Sequence, residues 1–305
     1  MVLNINKRDM ERRNFLGSLG LLVAAAFLPG SLLSMPIRPK FKMGLQLFTI
    51  HRDMTENPRE TLKTVKAMGF EDFEVFGFDP ERGSIYGSTP SEFKAILEDL
   101  ELTASSGHFG FASYLGKPDS EMKSFVDRCI ECAKALDLKY ITWPTLAPEQ
   151  RTLENFRLMA RKLNDIGEQI TSAGLGFAFH NNGFEFEEHE GQTCYDLVLQ
   201  ETDPQLVKLQ LDMYWAMHSG IPPKELVKSQ PGRFVMWHIK DMDKLTRDYT
   251  ELGNGSINYQ EILPEPGESG LEYYYLEQGG NFARSPMESV AQSAAYFRKH
   301  LQQRL

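Results

Sequence analysis

Cysteine is scarce in this chain: there are three in 305 residues. Cys129, Cys132 and Cys194 cannot all pair, so a disulfide framework is not expected. Cys129 and Cys132 lie in the middle of a helical stretch, whereas a redox pair needs a helix start beside a strand, so buried thiols are the reading. Basic charge is also short, with 33 Lys and Arg against 42 Asp and Glu and a formal net charge of −9. Such a field repels a polyanion, and no local basic groove offsets it, which excludes nucleic acid as a partner. There is no low-complexity linker to mark a second domain. Beyond residue 34 no apolar stretch has the length of about 20 residues that a bilayer span needs.

The first 34 residues read as a targeting segment. Lys7, Arg8, Arg12 and Arg13 precede the apolar run Phe15 to Leu28, which is short for a membrane span and is followed by Pro29, Gly30 and small residues. A cleaved signal is therefore preferred to an anchor or to an amphipathic N-terminal helix. Arg12-Arg13-Asn14-Phe15-Leu16 resembles the twin-arginine export signal, which implies a bacterial, periplasmic protein exported already folded. Residues 35–305 are expected to form one domain, a length that suits an α/β barrel.

Along that domain, short β-rich runs alternate with amphipathic stretches. Strands are expected at 43–50, 73–78, 102–109, 140–144, 175–181, 208–213, 234–240 and 273–278. Helical spacing of apolar residues marks 58–68, 90–100, 120–136, 153–173 and 286–301. Thr89-Pro90 and Ser285-Pro286 supply an N-cap followed by proline at the first helical position, while Gly69 and Gly174 fall where a helix end needs a left-handed residue. Eight strand-helix units favour a closed parallel (β/α)8 barrel, with a flavodoxin-like doubly wound sheet as the alternative.

In such a barrel the active face is built where strands end. Here the fifth to eighth strands run from apolar residues into His180, Asp212, His238 and Glu277, with Lys240 and Asp241 just beyond His238. Each ionisable group would be costly to bury alone. Singly, each has a plain structural reading: Asp212 could cap the next helix, Glu277 could pair with Arg284, and a histidine could bond to backbone. Together, two imidazoles and two carboxylates on adjacent strands suit a shared Mn²⁺, Co²⁺, Zn²⁺ or Fe²⁺ better than Mg²⁺. By the two-residue strand period, Lys240 points the same way as His238.

The segments Phe179-His180-Asn181-Asn182-Gly183-Phe184-Glu185-Phe186, Leu211-Asp212, His238-Ile239-Lys240-Asp241-Met242, Gly253-Asn254-Gly255 and Leu276-Glu277-Gln278 carry a resemblance to the sugar phosphate isomerase/epimerase family. These are the xylose isomerase-like barrels, and the resemblance covers nearly everything after the signal. It implies a metal, Mn²⁺ first, held by His180, Asp212, His238 and Glu277, and a sugar or glycoside as substrate. Family epimerases have Glu at the first of these positions, and many members have a second histidine where this chain has Asn182. The departure leaves open which residue of the 180–182 loop reaches the metal, and it disfavours epimerisation by two opposed carboxylates.

What remains is metal-assisted enolisation beside a carbonyl. Glu277 is the expected base, His108 moves a second proton and Lys240 stabilises the developing negative oxygen. Gln46, Glu74 and Asn182 are expected on substrate hydroxyls, with Trp143 and Trp215 as an apolar wall to which Phe76 and Phe109 could add. Two enzyme readings follow, lyase or hydrolase chemistry on 3-keto-glycosides and isomerisation or epimerisation of a free sugar. A non-catalytic sugar- or metal-binding barrel is the alternative from another class. A nuclease reading is opposed by the acidic charge. The long loop 243–270 is expected to act as a lid or as the contact of a homo-oligomer.

Overall fold

The computed structural model describes residues 40–305; the targeting segment lies outside the described residues. Eight parallel strands close into a barrel: β1 (Gly44–Gln46), β2 (Asp72–Val75), β3 (Thr103–His108), β4 (Tyr140–Trp143), β5 (Gly176–His180), β6 (Lys208–Asp212), β7 (Met236–Ile239) and β8 (Tyr273–Leu276). The closed order runs β1 through β8 and back to β1, with β8 pairing β1 at Tyr275 and Leu276. This is the (β/α)8 barrel, and the doubly wound alternative falls because an open sheet has no such closing pair.

The main helices pack outside the strands: α1 (Pro58–Ala67), α2 (Pro90–Asp99), α3 (Asp119–Leu136), α4 (Leu153–Ser172), α5 (Cys194–Glu201), α6 (Met213–His218), α7 (Pro223–Ser229) and α8 (Pro286–His300). Their ends follow local chemistry. Thr89 and Glu92 form a reciprocal capping box on α2, and Ser285 accepts from Glu288 N at the start of α8. Gly69 and Gly174, at φ +99° and +83°, turn the chain out of α1 and α4 in the conformation only glycine adopts without strain. The inner faces of these helices and the outer faces of the strands form one continuous core that includes Leu62, Val65, Phe125, Leu163 and Phe297. The three thiols are free and buried. Among the described residues no helix is long and apolar enough to cross a membrane.

Two departures from the sequence-based elements bear on the site. The first strand stops at Gln46, because the Gln46 side chain accepts from Phe48 N and opens a 3-10 turn over Leu47–Ile50. The β7–β8 connection carries only single helical turns at Tyr259–Ile262 and Pro266–Ser269, preceded by a hairpin pairing Asp241–Met242 with Tyr249–Thr250. One buried carboxylate organises that loop. Asp241 accepts the backbone N–H groups of Met242, Gly253, Gly255 and Ile257 at 2.8–3.2 Å. A Cβ on Gly255 would overlap Asp241 Oδ1, so Gly-Asn-Gly is a close-approach motif.

Candidate metal centre and active site

Strand register sets the site. On β6 and β7, Asp212 lies opposite His238, while on β5 and β6 His180 lies opposite Gln210. Gln46, Glu74 and Ser106 line up across β1, β2 and β3. The side chains of these strand ends meet at the C-terminal mouth of the barrel, where loops following parallel strands build active sites.

Glu74 sits beneath the mouth with no exposed surface. Its Oε2 lies 2.6 Å from His238 Nε2, 3.1 Å from His108 Nε2 and 2.5 Å from Gln46 Nε2. Its Oε1 accepts from Ser106 Oγ at 2.7 Å and Gln210 Nε2 at 2.8 Å. Burial pushes this acid up, but the His108 and His238 imidazoles overcome it through charge and hydrogen bonding and hold the carboxyl well below its ordinary range. As an ionised carboxylate Glu74 only accepts, so His238 donates through Nε2–H.

That tautomer leaves His238 Nδ1 facing Glu277 Oε2 at 2.7 Å and Asp212 Oδ2 at 3.8 Å. Neither His238 Nδ1 nor Glu277 Oε2 finds a hydrogen-bond partner of acceptable geometry, although both are buried. His180 repeats the pattern. Its Nδ1 lies 2.9 Å from the Pro144 carbonyl, which can only accept, so Nδ1 carries the proton. Burial, with His238 and His108 nearby, pulls His180 down to about 4 against the pull of Asp212, and the ring is neutral. Its Nε2 lone pair therefore faces Asp212 Oδ2 at 3.3 Å. With both rings neutral, acceptor would face acceptor twice in one cradle.

Such a cradle needs a cation. Lys240 provides one from the side, its Nζ 2.7 Å from Asp212 Oδ2 and 2.9 Å from Glu277 Oε2. Burial works against the ammonium, but the two carboxylates outweigh it and keep it charged. In return, Lys240 and His238 offset burial and hold Glu277 at about 2. The same balance, with Lys240 foremost, keeps Asp212 ionised. His238 is driven upward, since the surrounding carboxylates outweigh its burial, so in this cradle Nδ1 takes up a proton toward Glu277 in the place a cation would occupy.

The donor atoms fit a divalent metal. His180, Asp212 and His238 present ligand atoms within 4.8 Å of one another, and Glu74, His108 and His238 form a second group. Two imidazole nitrogens and two carboxylate oxygens suit a transition metal, and the bonds from His180 Nδ1 to Pro144 and from His238 Nε2 to Glu74 are the outer contacts that orient metal-bound histidines. Asp212 is itself pre-set, because its Oδ1 caps α6 through Trp215 N at 3.0 Å while Oδ2 turns to the cradle. Asp212 thus takes its capping role and its cradle position together. Glu277 does not pair with Arg284, which reaches Glu288 instead.

The other expected contacts divide. His108 borders the cradle, partly exposed, with Nε2 2.8 Å from Gln210 Oε1. Gln46 and Glu74, expected on substrate hydroxyls, are fully buried below the histidines and bonded to each other, so they support the cradle. Trp143, expected on a substrate face, is a core residue at 0 % exposure, stacked on Phe111 with centroids 5.2 Å apart. Phe109 is likewise core, packed edge-on to Phe78. Asn182 turns away to the Pro144 carbonyl and Glu185, while Trp215 and Phe76 stay partly exposed at the rim. Sequence reasoning passed over Gln210 and Ser106, although each stands two residues before a chosen strand-end group and so faces the same side. It also passed over Glu185, a buried acid raised to about 8 by burial that binds Asn182 N and Nδ2, and Tyr249, whose ring lies 5.8 Å from Lys240 Nζ. No local pattern brings that hairpin over the mouth.

A closed parallel barrel whose later strands bring two imidazoles and two carboxylates to one cradle at its C-terminal mouth defines the class of (β/α)8 barrels with a polar strand-end site. This chain belongs to the xylose isomerase-like TIM barrel family, whose model matches residues 62–300. It is similar to an inosose dehydratase of Clostridium botulinum, 25% identical over 169 residues, a match spanning 48% of this chain and 55% of that relative. Among solved structures it is similar to a sugar phosphate isomerase/epimerase from Parabacteroides distasonis, with TM-score 0.75 and 25% identity over 86% of this chain and 95% of the other. The fold is shared with the IolI protein solved with a bound zinc atom, with TM-score 0.67 and 16% identity over 87% of this chain and 99% of the other.

Proposed function

We propose that this protein is a divalent-metal-dependent enzyme acting on a sugar by enolisation beside a carbonyl. The observation that carries the reading is the convergence of His180 Nε2, Asp212 Oδ2, His238 Nδ1 and Glu277 Oε2 on one cradle, where the His180 lone pair faces a carboxylate oxygen and the demand for positive charge draws a proton onto His238, at the mouth of a barrel in a sugar-processing family. His180, Asp212, His238 and Glu277 are the proposed ligands, with Mn²⁺ first and Zn²⁺, Co²⁺ or Fe²⁺ as the other candidates. The zinc in the IolI structure supports a transition metal in this fold. Held by these residues, such a metal would supply Lewis-acid polarisation of a substrate carbonyl, which would acidify the adjacent C–H.

The chain's own groups then move the protons. Glu277, ionised and partly exposed, accepts the proton from carbon, and the fixed ammonium of Lys240 steadies the negative oxygen that forms. His108, held by Gln210 and Glu74, delivers a proton where the electron pair arrives. On a 3-keto-glycoside the proton leaves C2, the electron pair expels the aglycone oxygen from C1, and that oxygen takes a proton. On a free keto-sugar the proton returns to carbon and the product is an isomer or epimer. The lyase-type outcome is preferred because His180 replaces the carboxylate that two-faced epimerisation uses, and the similarity to a dehydratase supports elimination chemistry.

The test is exchange of substrate C–H with deuterated solvent by Mn²⁺-loaded protein on 3-keto-glucose and a 3-keto-glucoside. Exchange that falls about 10²–10⁴-fold in Glu277→Gln is expected. Absence of exchange from a metal-loaded wild type would leave the non-catalytic binding reading standing.

A further inference from the structure

Beside the cradle, on the loops after β5 and β6, lies a groove of about 430 Å³ that the mechanism above does not use. Its walls are Trp215 and Phe184, and Arg151, Asn182, His218 and Ser219 give it polar edges. The guanidinium of Arg151 is seated on the Phe184 ring, 4.0 Å from its centroid, and bonds the Leu146 carbonyl through Nε and Nη2 at 3.3 Å. Its Nη1 makes no hydrogen bond among the described residues. Trp215 is half-buried, braced edge-on by His218 and Tyr249. Gly183 lets this ring lie against the loop, since a Cβ there would stand 3.0 Å from Trp215 Cε3.

Two groove residues, Asn182 and Trp215, are tied to cradle residues by shared partners. The Pro144 carbonyl accepts from His180 Nδ1 and from Asn182 Nδ2, and the Asp212 carboxylate that faces His180 also caps Trp215 N. The groove is therefore built on the same β5 and β6 loops that place His180 and Asp212 at the cradle. An aromatic wall with a polar rim is what a pyranose requires, because its apolar C–H face needs a flat surface while its hydroxyls need donors around the edge.

We propose that this groove is the subsite for the second sugar ring of a disaccharide-type glycoside whose first ring lies at the cradle. The proposal rests on the enolisation reading for its first ring, but the groove is tested without any reaction. Unoxidised disaccharides lack the 3-keto group that elimination needs, and trehalose, being non-reducing, has no carbonyl at all, so binding is read without elimination, and the difference from glucose reports the second ring.

The chain has three tryptophans, and Trp143 and Trp237 are both at 0 % exposure, so a solvent-dependent change in tryptophan emission belongs to Trp215. Titration of the full metal-loaded chain with cellobiose, maltose and trehalose, against glucose, is the experiment. At least one disaccharide is expected to change the emission at a concentration about tenfold below that needed for glucose, the worth of one charge-assisted hydrogen bond. Trp215→Phe removes the signal, and Arg151→Ala, followed through Trp215, raises the half-saturating concentration about tenfold. Equal response to glucose, or no response to any disaccharide, overturns the subsite. A positive titration with no deuterium exchange on keto-sugars keeps the groove and removes the enolisation reading, so the two failures are separable.

Discussion

At the scale of single residues, Glu74 is the group on which the cradle depends most. It touches His238 and His108 directly and is held by three further donors. Glu74→Gln is expected to weaken metal retention about 10–100-fold, the usual effect of removing a carboxylate behind a metal-bound histidine, while the far-UV circular dichroism stays unchanged. Isothermal titration with Mn²⁺ checks this; unchanged affinity would contradict the role. Asp72, at the opposite end of β2, gives a pH prediction. Burial raises it to about 6 against hydrogen bonds from Ser105 and Thr103. The folded state binds its proton more tightly than the unfolded chain, so stability falls as pH rises through the window from 3.8 to about 6 and stays lower above it. The total is about 3 kcal/mol from a shift of roughly two units. Asp72→Asn should flatten that slope in thermal melts between pH 4 and 7; an unchanged slope would mean the acid is not held neutral.

At the scale of elements, the strands that end in charge were legible because a short apolar run followed by His, Asp or Glu is an unusual pairing. His180, Asp212, His238 and Lys240 were visible for that reason. Buried partners two residues earlier, such as Gln210, were hidden because a lone polar residue in a strand looks like an edge position. Trp143 was misplaced because the strand period alone does not say which face of a short strand meets the helices, and the ring went to Phe111. Helix starts with Thr or Ser followed by Pro were readable; α5, α6 and α7 were not, being short and weakly periodic. The β7–β8 loop rests on Asp241, whose loss would strand four backbone donors at about 1–3 kcal/mol for each that stays buried. Asp241→Ala should speed amide exchange across residues 249–262 while β2, β3 and β4 remain protected; uniform loss of protection would show the loop to be part of the barrel's own cooperative unit.

At the scale of the whole molecule, the four proposed ligands come from four consecutive strands, β5 to β8, so a bound metal ties together half of the closed barrel. A ligand that binds only the folded state stabilises it by about 2.7 kcal/mol at a hundred times its dissociation constant. Chelation should therefore lower the melting temperature of the wild type and leave His238→Ala unaffected. The export signal and its compartment rest on residues 1–34 and stand as proposals; fractionation of cells expressing the full chain, with Arg12→Lys and Arg13→Lys together blocking export, tests them.

The most direct measurement is elemental analysis of purified protein beside His238→Ala and Asp212→Ala, each checked for folding by circular dichroism. The cradle predicts about one transition-metal ion per wild-type chain, lost in both folded variants. A wild type that holds no metal after reconstitution, or variants that keep it, would contradict the account.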